Sequence, residues 1–152
     1  MANEIEMKLC GTCGLAKPLS EYSPGGNGKP RRDCKPCNSE RAMQWRDMNP
    51  DAVLDAHLKR VFSITLAEYR ALLLEQNGIC AICGEPPTVA LGIPSRRQGR
   101  AVRPRLVVDH NHETGQVRGL LCTPCNRGIG FLGDTADSVR RALAYLESRE
   151  RR

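Results

Sequence analysis

Aromatic residues are scarce in this 152-residue chain: one Trp, three Tyr and two Phe, 4% of the whole. So little bulky apolar surface excludes a large packed core, whether the chain forms one domain or two small ones, and something other than packing must help hold it together. No apolar run approaches the ~20 residues of a membrane-spanning helix. The first ten residues carry Glu4 and Glu6 in place of a basic start followed by a greasy stretch; the expectation is a cytoplasmic protein without a signal peptide. Unpaired cysteine is lacking too. Each of the eight cysteines belongs to a Cys-x-x-Cys pair: Cys10/Cys13, Cys34/Cys37, Cys80/Cys83 and Cys122/Cys125.

Four such pairs point to zinc rather than to a disulfide framework. Two cysteines with two residues between them grip one edge of a zinc tetrahedron while a distant pair closes the other. A redox Cys-x-x-Cys would sit in a strand–motif–helix pattern that the flanks do not show. The pairs also echo one another. Cys10–Gly14 (CGTCG) and Cys80–Gly84 (CAICG) share Cys-x-x-Cys-Gly, with a glycine free to take the positive φ of a tight turn, and Cys34–Asn38 (CKPCN) and Cys122–Asn126 (CTPCN) share Cys-x-Pro-Cys-Asn. Two zinc units are therefore expected, Cys10, Cys13, Cys34 and Cys37 in one and Cys80, Cys83, Cys122 and Cys125 in the other.

The net charge of +6 and a pI near 9.0 favour a polyanionic partner. Basic residues cluster at Lys29, Arg31, Arg32 and Lys35 beside one Cys pair, at Arg96, Arg97, Arg100, Arg103 and Arg105 in a Pro- and Gly-rich loop, and at Arg149, Arg151 and Arg152. With few aromatics to stack on bases, contacts to duplex phosphates are the expected mode. Trp45 reads as a packing residue and His57 as a surface or core-edge residue.

Between the zinc units the sequence is helical. A polar helix is expected from Asn38, a second begins with Asn49 as cap and Pro50 in the first turn, and a third opens on a capping box of Thr65 and Glu68 and stops at Asn77–Gly78. Arg105 to Val108 then reads as a short strand ending at Asp109, residues 111–115 as a turn, and Gln116 to Leu121 as a second strand running into Cys122. Helix follows from Asn126, where the asparagine is either a cap or a ligand. A last helix, about Thr135 to Ser148, carries Val139, Ala142, Leu143 and Leu146 on one face.

This strand–turn–strand–helix packs Asp109, His110, His112 and Asn126 close to four cysteines that already satisfy a zinc ion. A mixed Cys/His site would strand a thiolate. The Asp109 carboxylate and the Asn126 side-chain oxygen are hard ligands suited to magnesium or manganese, and an imidazole can act as general base, a combination fit for phosphodiester hydrolysis.

The residues Cys80–Gly84, the run from Val107 to Asp134 and the closing amphipathic helix resemble the recombination endonuclease VII family, a phage-associated branch of the HNH or ββα-metal (His-Me finger) nucleases. The combination of Asp-His-x-His, Val-Arg-Gly-Leu-Leu-Cys-x-x-Cys-Asn and an upstream Cys pair is specific, and the resemblance spans roughly Leu66 to Leu146. It implies a small zinc-bound ββα-metal core, and with the helical linker and N-terminal four-cysteine zinc module read from the residues the expected fold is α+β. Residues 1–40 would form that module, 41–64 the linker, 65–148 the nuclease domain and 149–152 a basic tail.

The resemblance also implies roles. Asp109 and Asn126 would hold a catalytic Mg2+ or Mn2+, His110 would be the general base, and His112 would support the site. Arg118 would lie near the scissile phosphate; apart from the resemblance, the basic clusters themselves make Arg103, Arg105, Arg31 and Arg32 candidate DNA contacts. The implied activity is DNA endonucleolytic cleavage, of branched junctions or by duplex nicking, inside a bacterial cell from a phage gene, with a homodimer or a phage protein as partner. Two departures bear on it: Ile129 stands where the family prototype has an acidic residue, and a single helix follows the core where the prototype builds its dimer. Two other readings fit the same motifs: a sequence-preferring nicking or DNA-packaging HNH enzyme, and a non-catalytic zinc-stabilised DNA-binding protein.

Overall fold

The computed structural model describes residues 6–87 and 105–150. Arg103, the rest of the arginine-rich loop before Arg105, and Arg151 and Arg152 lie outside the described residues. The chain divides into two compact units, Met1–Val53 and Leu54–Arg152. The fold is α+β, with two small antiparallel hairpins among the described residues and two four-cysteine clusters; the α+β class and the clusters are as the sequence implies.

In the first unit, β1 (Met7–Leu9) pairs with β2 (Ala16–Pro18), a single 3-10 turn follows over Leu19–Glu21, and α1 covers Lys35–Met48. The strand pair is hard to foresee because three-residue strands, one ending in proline, carry no usable alternation. The buried core of this unit is Tyr22 with Cys10 and Cys34. Tyr22 donates its hydroxyl to the Lys8 carbonyl at 2.7 Å, and the Lys8 ammonium lies 5.2 Å from the ring centre. One tyrosine cannot supply the burial that a small domain needs, so the metal ligands themselves form the interior. Trp45 does not pack as expected: it is 52% exposed on α1, a helix with no buried residue.

The second unit has a larger core. It is built from Leu58 of α2 (Pro50–Phe62), Tyr69 of α3 (Leu66–Glu75), Leu106, Val108 of β3 (Val107–His110) and Leu120 and Leu121 of β4 (Val117–Leu121), closed by Cys80 and Cys122. The predicted capping box is present in full: Thr65 Oγ1 accepts from the Glu68 N–H, and a Glu68 carboxylate oxygen accepts from the Thr65 N–H at 2.6 Å. At the other end of α3, Gln76 acts as a clamp on the sheet. Its side chain accepts from the Leu120 N–H and donates to the Leu120 carbonyl, both at 2.8 Å, satisfying the outer edge of β4. Gly119 makes room for this clamp, because a Cβ there would stand 3.1 Å from the Gln76 Oε1.

Helices α4 (Thr123–Phe131) and α5 (Ala136–Glu150) complete the unit. The apolar face read for the last helix is real but not buried: Val139, Leu143 and Leu146 are exposed, as is Phe131 at the end of α4.

The internal echo extends to individual hydrogen bonds. Gly14 donates to the Cys10 carbonyl and Gly84 to that of Cys80; Gly11 donates to the carbonyl of Arg32, and Ala81 to that of Leu120, each acceptor two residues before the third cysteine of its unit. Both Gly14 and Gly84 have positive φ, +69° and +71°. Cys34 and Cys122 are the N-caps of α1 and α4, each with proline in the first turn. Asn126 is therefore the fourth residue of its helix rather than the cap, and its N–H donates to the Cys122 carbonyl at 3.0 Å. The capping alternative for Asn126 is overturned by the proline, which fits the first helical turn and starts the helix three residues earlier.

Candidate metal centres and catalytic site

In each four-cysteine cluster the sulfurs lie within 4.8 Å of one another. The Cys83 and Cys122 sulfurs are 3.8 Å apart, which matches the edge of about 3.8 Å expected for a tetrahedron with ~2.3 Å zinc–sulfur bonds. The thiols divide in acidity. Hydrogen bonds from the backbone N–H groups of Cys34 and Cys13 bring the Cys10 thiol down to about 6. Burial opposes ionisation of Cys80, but N–H groups of Cys122, Cys83 and Ile82 outweigh it and bring that thiol also to about 6. Cys37, through hydrogen bonds to its neighbouring thiols and then burial, and Cys125, through burial and then its neighbours, are pushed up to about 12. Four thiols this close cannot all ionise alone; a divalent cation removes the conflict. Both clusters have the donor set and spacing of structural zinc sites.

The first cluster is braced by charge. Asp33 is paired with Arg41 and accepts from the Thr12 hydroxyl at 3.0 Å, while the Lys17 ammonium lies 3.5 Å from the Cys34 sulfur. Lys35 is tied to the Ser20 carbonyl at 2.7 Å. Arg31 and Arg32 are exposed.

The second cluster stands next to the β3–β4 hairpin. Asp109 and His110 end β3, and the strand register breaks between them: Asp109 faces Gly119, but His110 faces Val117. Arg118 is thus the extra residue of a β-bulge, a device that kinks a strand and re-aims a side chain. Its Nη1 comes within 3.6 Å of a carboxylate oxygen of Asp109, which is 8% exposed and the buried acid among the described residues. His110 is half-buried and His112 exposed, with ring centres 4.6 Å apart and planes at 32°. The turn between the strands is tight because the Asn111 side-chain oxygen accepts from the N–H groups of Glu113 and Thr114. Asn126, half-buried, lies on α4, and α4 packs against β3. Arg105 is exposed and lines a hollow of about 100 Å³ with His57, Phe62 and Val107.

Three residues of this neighbourhood are not singled out by any motif. Phe62 meets His110 edge-on at 5.2 Å and His57 at 5.9 Å, fixing one side of the His110 ring. Gln76 clamps β4 behind the bulge. Asp134 receives Arg118: Nη1 donates to Oδ1 at 2.7 Å, and Nη2 lies 3.3 Å from both Oδ2 and the backbone carbonyl. The guanidinium holds the Asp134 carboxyl below the usual carboxylate range. His112 Nε2 is 3.9 Å from the same carboxylate. A Gly-Asp pair after a helix signals a turn, but nothing in its spacing reveals that the turn folds back onto Arg118.

A hairpin followed by a helix, with Asp-His at the end of the first strand and a four-cysteine cluster beside it, is the arrangement of the ββα-metal, or His-Me finger, class. Comparison with known sequences carries this further: residues 55–148 match recombination endonuclease VII, and the chain belongs to that family. It is 40% identical over 93 residues to the Gene 59 protein of Mycobacterium phage D29, covering 60% of this chain and 48% of that protein. With the Gene 59 protein of Mycobacterium phage L5 the identity is 34% over 104 residues, 68% of this chain and 56% of the other. The chain thus spans about half the length of the curated relatives it matches. Among solved structures, the ββα-Me type II restriction endonuclease Hpy99I aligns over 94% of this chain and 66% of its own, with 21% identity and a TM-score of 0.35. Among the described residues no helix is long and apolar enough to cross a membrane.

Proposed function

We propose that the protein is a divalent-metal-dependent DNA endonuclease that hydrolyses phosphodiester bonds. The observation that carries this reading is the bulged hairpin, which sets Asp109, His110 and Arg118 side by side in a chain of the recombination endonuclease VII family. Asp109 and Asn126 offer the oxygen ligands for Mg2+ or Mn2+. Such an ion, when bound, supplies electrostatic stabilisation of the charge that builds on the phosphate and the leaving oxygen. His110 takes the proton of the attacking water, whose oxygen forms the new P–O bond as the bridging P–O bond breaks; the leaving oxygen takes a proton from solvent. Its ring is steadied by Phe62 and His112. Arg118 neutralises a non-bridging phosphate oxygen. The phage origin of both curated relatives supports action inside an infected bacterium.

The test is cleavage of supercoiled plasmid and of a synthetic four-way junction, each with Mg2+ and with EDTA. Cleavage only with Mg2+ is expected, and preference for the junction would identify a branched-DNA enzyme. A folded, zinc-loaded, DNA-binding protein that cuts neither substrate would overturn the assignment in favour of a binding module.

The first unit repeats the zinc knuckle without an Asp-His pair, which supports a binding rather than a cutting role. Its exposed Arg31 and Arg32 are the proposed phosphate partners. Replacing both with alanine is expected to lower the slope of log affinity against log salt by about 0.9 for each phosphate no longer neutralised, or about 1.8 for the pair, on duplex DNA. An unchanged slope in a salt titration would remove them from the interface.

A further inference from the structure

We infer that Asp134 serves as a retaining partner for Arg118, drawing its guanidinium off Asp109 so that the Asp109 carboxylate stays open to a divalent cation. This rests on the reading of Asp109 as a metal ligand. The guanidinium has two carboxylates within reach. It bonds to the Asp134 carboxylate at 2.7 and 3.3 Å and to the Asp134 backbone carbonyl at 3.3 Å, and makes a longer ion pair of 3.6 Å with Asp109. Arg118 is the bulged residue of β4, and its side chain reaches both carboxylates.

Asp134 is itself held in place. It sits at φ +54° after Gly133, and its N–H donates to the Ile129 carbonyl at 2.9 Å, so the end of α4 sets its position. Arg118 and Asp134 together form part of the wall of a cleft of about 680 Å³, which leaves the pair open to solvent and to substrate.

Without the Asp134 charge, the carboxylate left within reach of Arg118 among the described residues is that of Asp109, and an incoming cation would have to displace a guanidinium. The apparent affinity for metal falls by the fraction of time that Asp109 is free. Occupancy of Asp109 by Arg118 for about nine-tenths of the time would weaken binding about tenfold.

The experiment measures Mn2+ binding to the zinc-loaded full chain by electron paramagnetic resonance of free Mn2+, for wild type, Asp134→Asn, Arg118→Ala, the double variant and Asp109→Asn. Asparagine is nearly isosteric and tolerates positive φ, and zinc content with far-ultraviolet circular dichroism checks the fold. The expected result is an Asp134→Asn dissociation constant raised about tenfold and returned to within about twofold of wild type by adding Arg118→Ala. Weakening that Arg118→Ala does not reverse would make Asp134 a metal ligand and overturn the proposal, as would unchanged affinity in Asp134→Asn. Equal Mn2+ binding by wild type and Asp109→Asn would instead show that the underlying ligand assignment is wrong, and the proposal would fall with it.

Discussion

Alanine at His110 is expected to lower the cleavage rate by about 10²- to 10⁴-fold, the usual contribution of a positioned general base. The ring is half-buried between Phe62 and His112, so its removal opens space beside those two rings but takes away no core side chain and no zinc ligand. Zinc content and melting temperature should therefore stay near those of wild type. Initial rates on supercoiled plasmid with Mg2+, beside a zinc assay of the same preparation, check both halves. Wild-type turnover in His110→Ala would refute the assignment, and a matching collapse in His112→Ala would transfer the role to the neighbouring ring, whose centre is 4.6 Å away.

The second large effect concerns the fold. Cys83→Ser is expected to unfold the second unit, because structural zinc contributes about 10–16 kcal/mol in small domains, comparable to the ~5–15 kcal/mol by which whole domains are stable. Cys80 and Cys122 are members of the hydrophobic core itself, so the metal and the packed side chains hold the same interior. Loss of zinc should thus expose Leu120, Leu121 and Tyr69 together. Circular dichroism and dye binding, with chelator treatment of the wild-type protein as a parallel route, measure this. A Cys83→Ser protein that keeps its zinc and its native spectrum would show that three thiolates suffice.

Local signals are legible wherever the chemistry of one short segment decides the outcome. The Thr65–Glu68 capping box and the start of α2 at Pro50 appear as their sequence predicts, and a hairpin forms around the predicted turn of residues 111–115, though its strands run Val107–His110 and Val117–Leu121 rather than from Arg105 and Gln116. Where the sequence misleads, a neighbouring residue competes. Pro124 starts α4 earlier than Asn126 would, and α1 starts at Lys35 for the same reason at Pro36. Trp45 fails as a packing residue because α1 has no buried face for it to join.

The metal chemistry can be read from the chain alone. Thiolate pairs at fixed spacing have few geometric solutions, and two copies of one pattern announce two similar sites. The sequence also shows which strand end carries the acid and the imidazoles, since these are adjacent in the chain. What surrounds them is set by long-range packing. The bulge that leaves Arg118 unpaired is a matter of strand register, the Gln76 clamp joins residues 44 apart, and the Arg118–Asp134 pair joins residues 16 apart across the whole of α4. Pairings of that kind depend on how helices and strands close on one another, and no periodicity or local propensity encodes them.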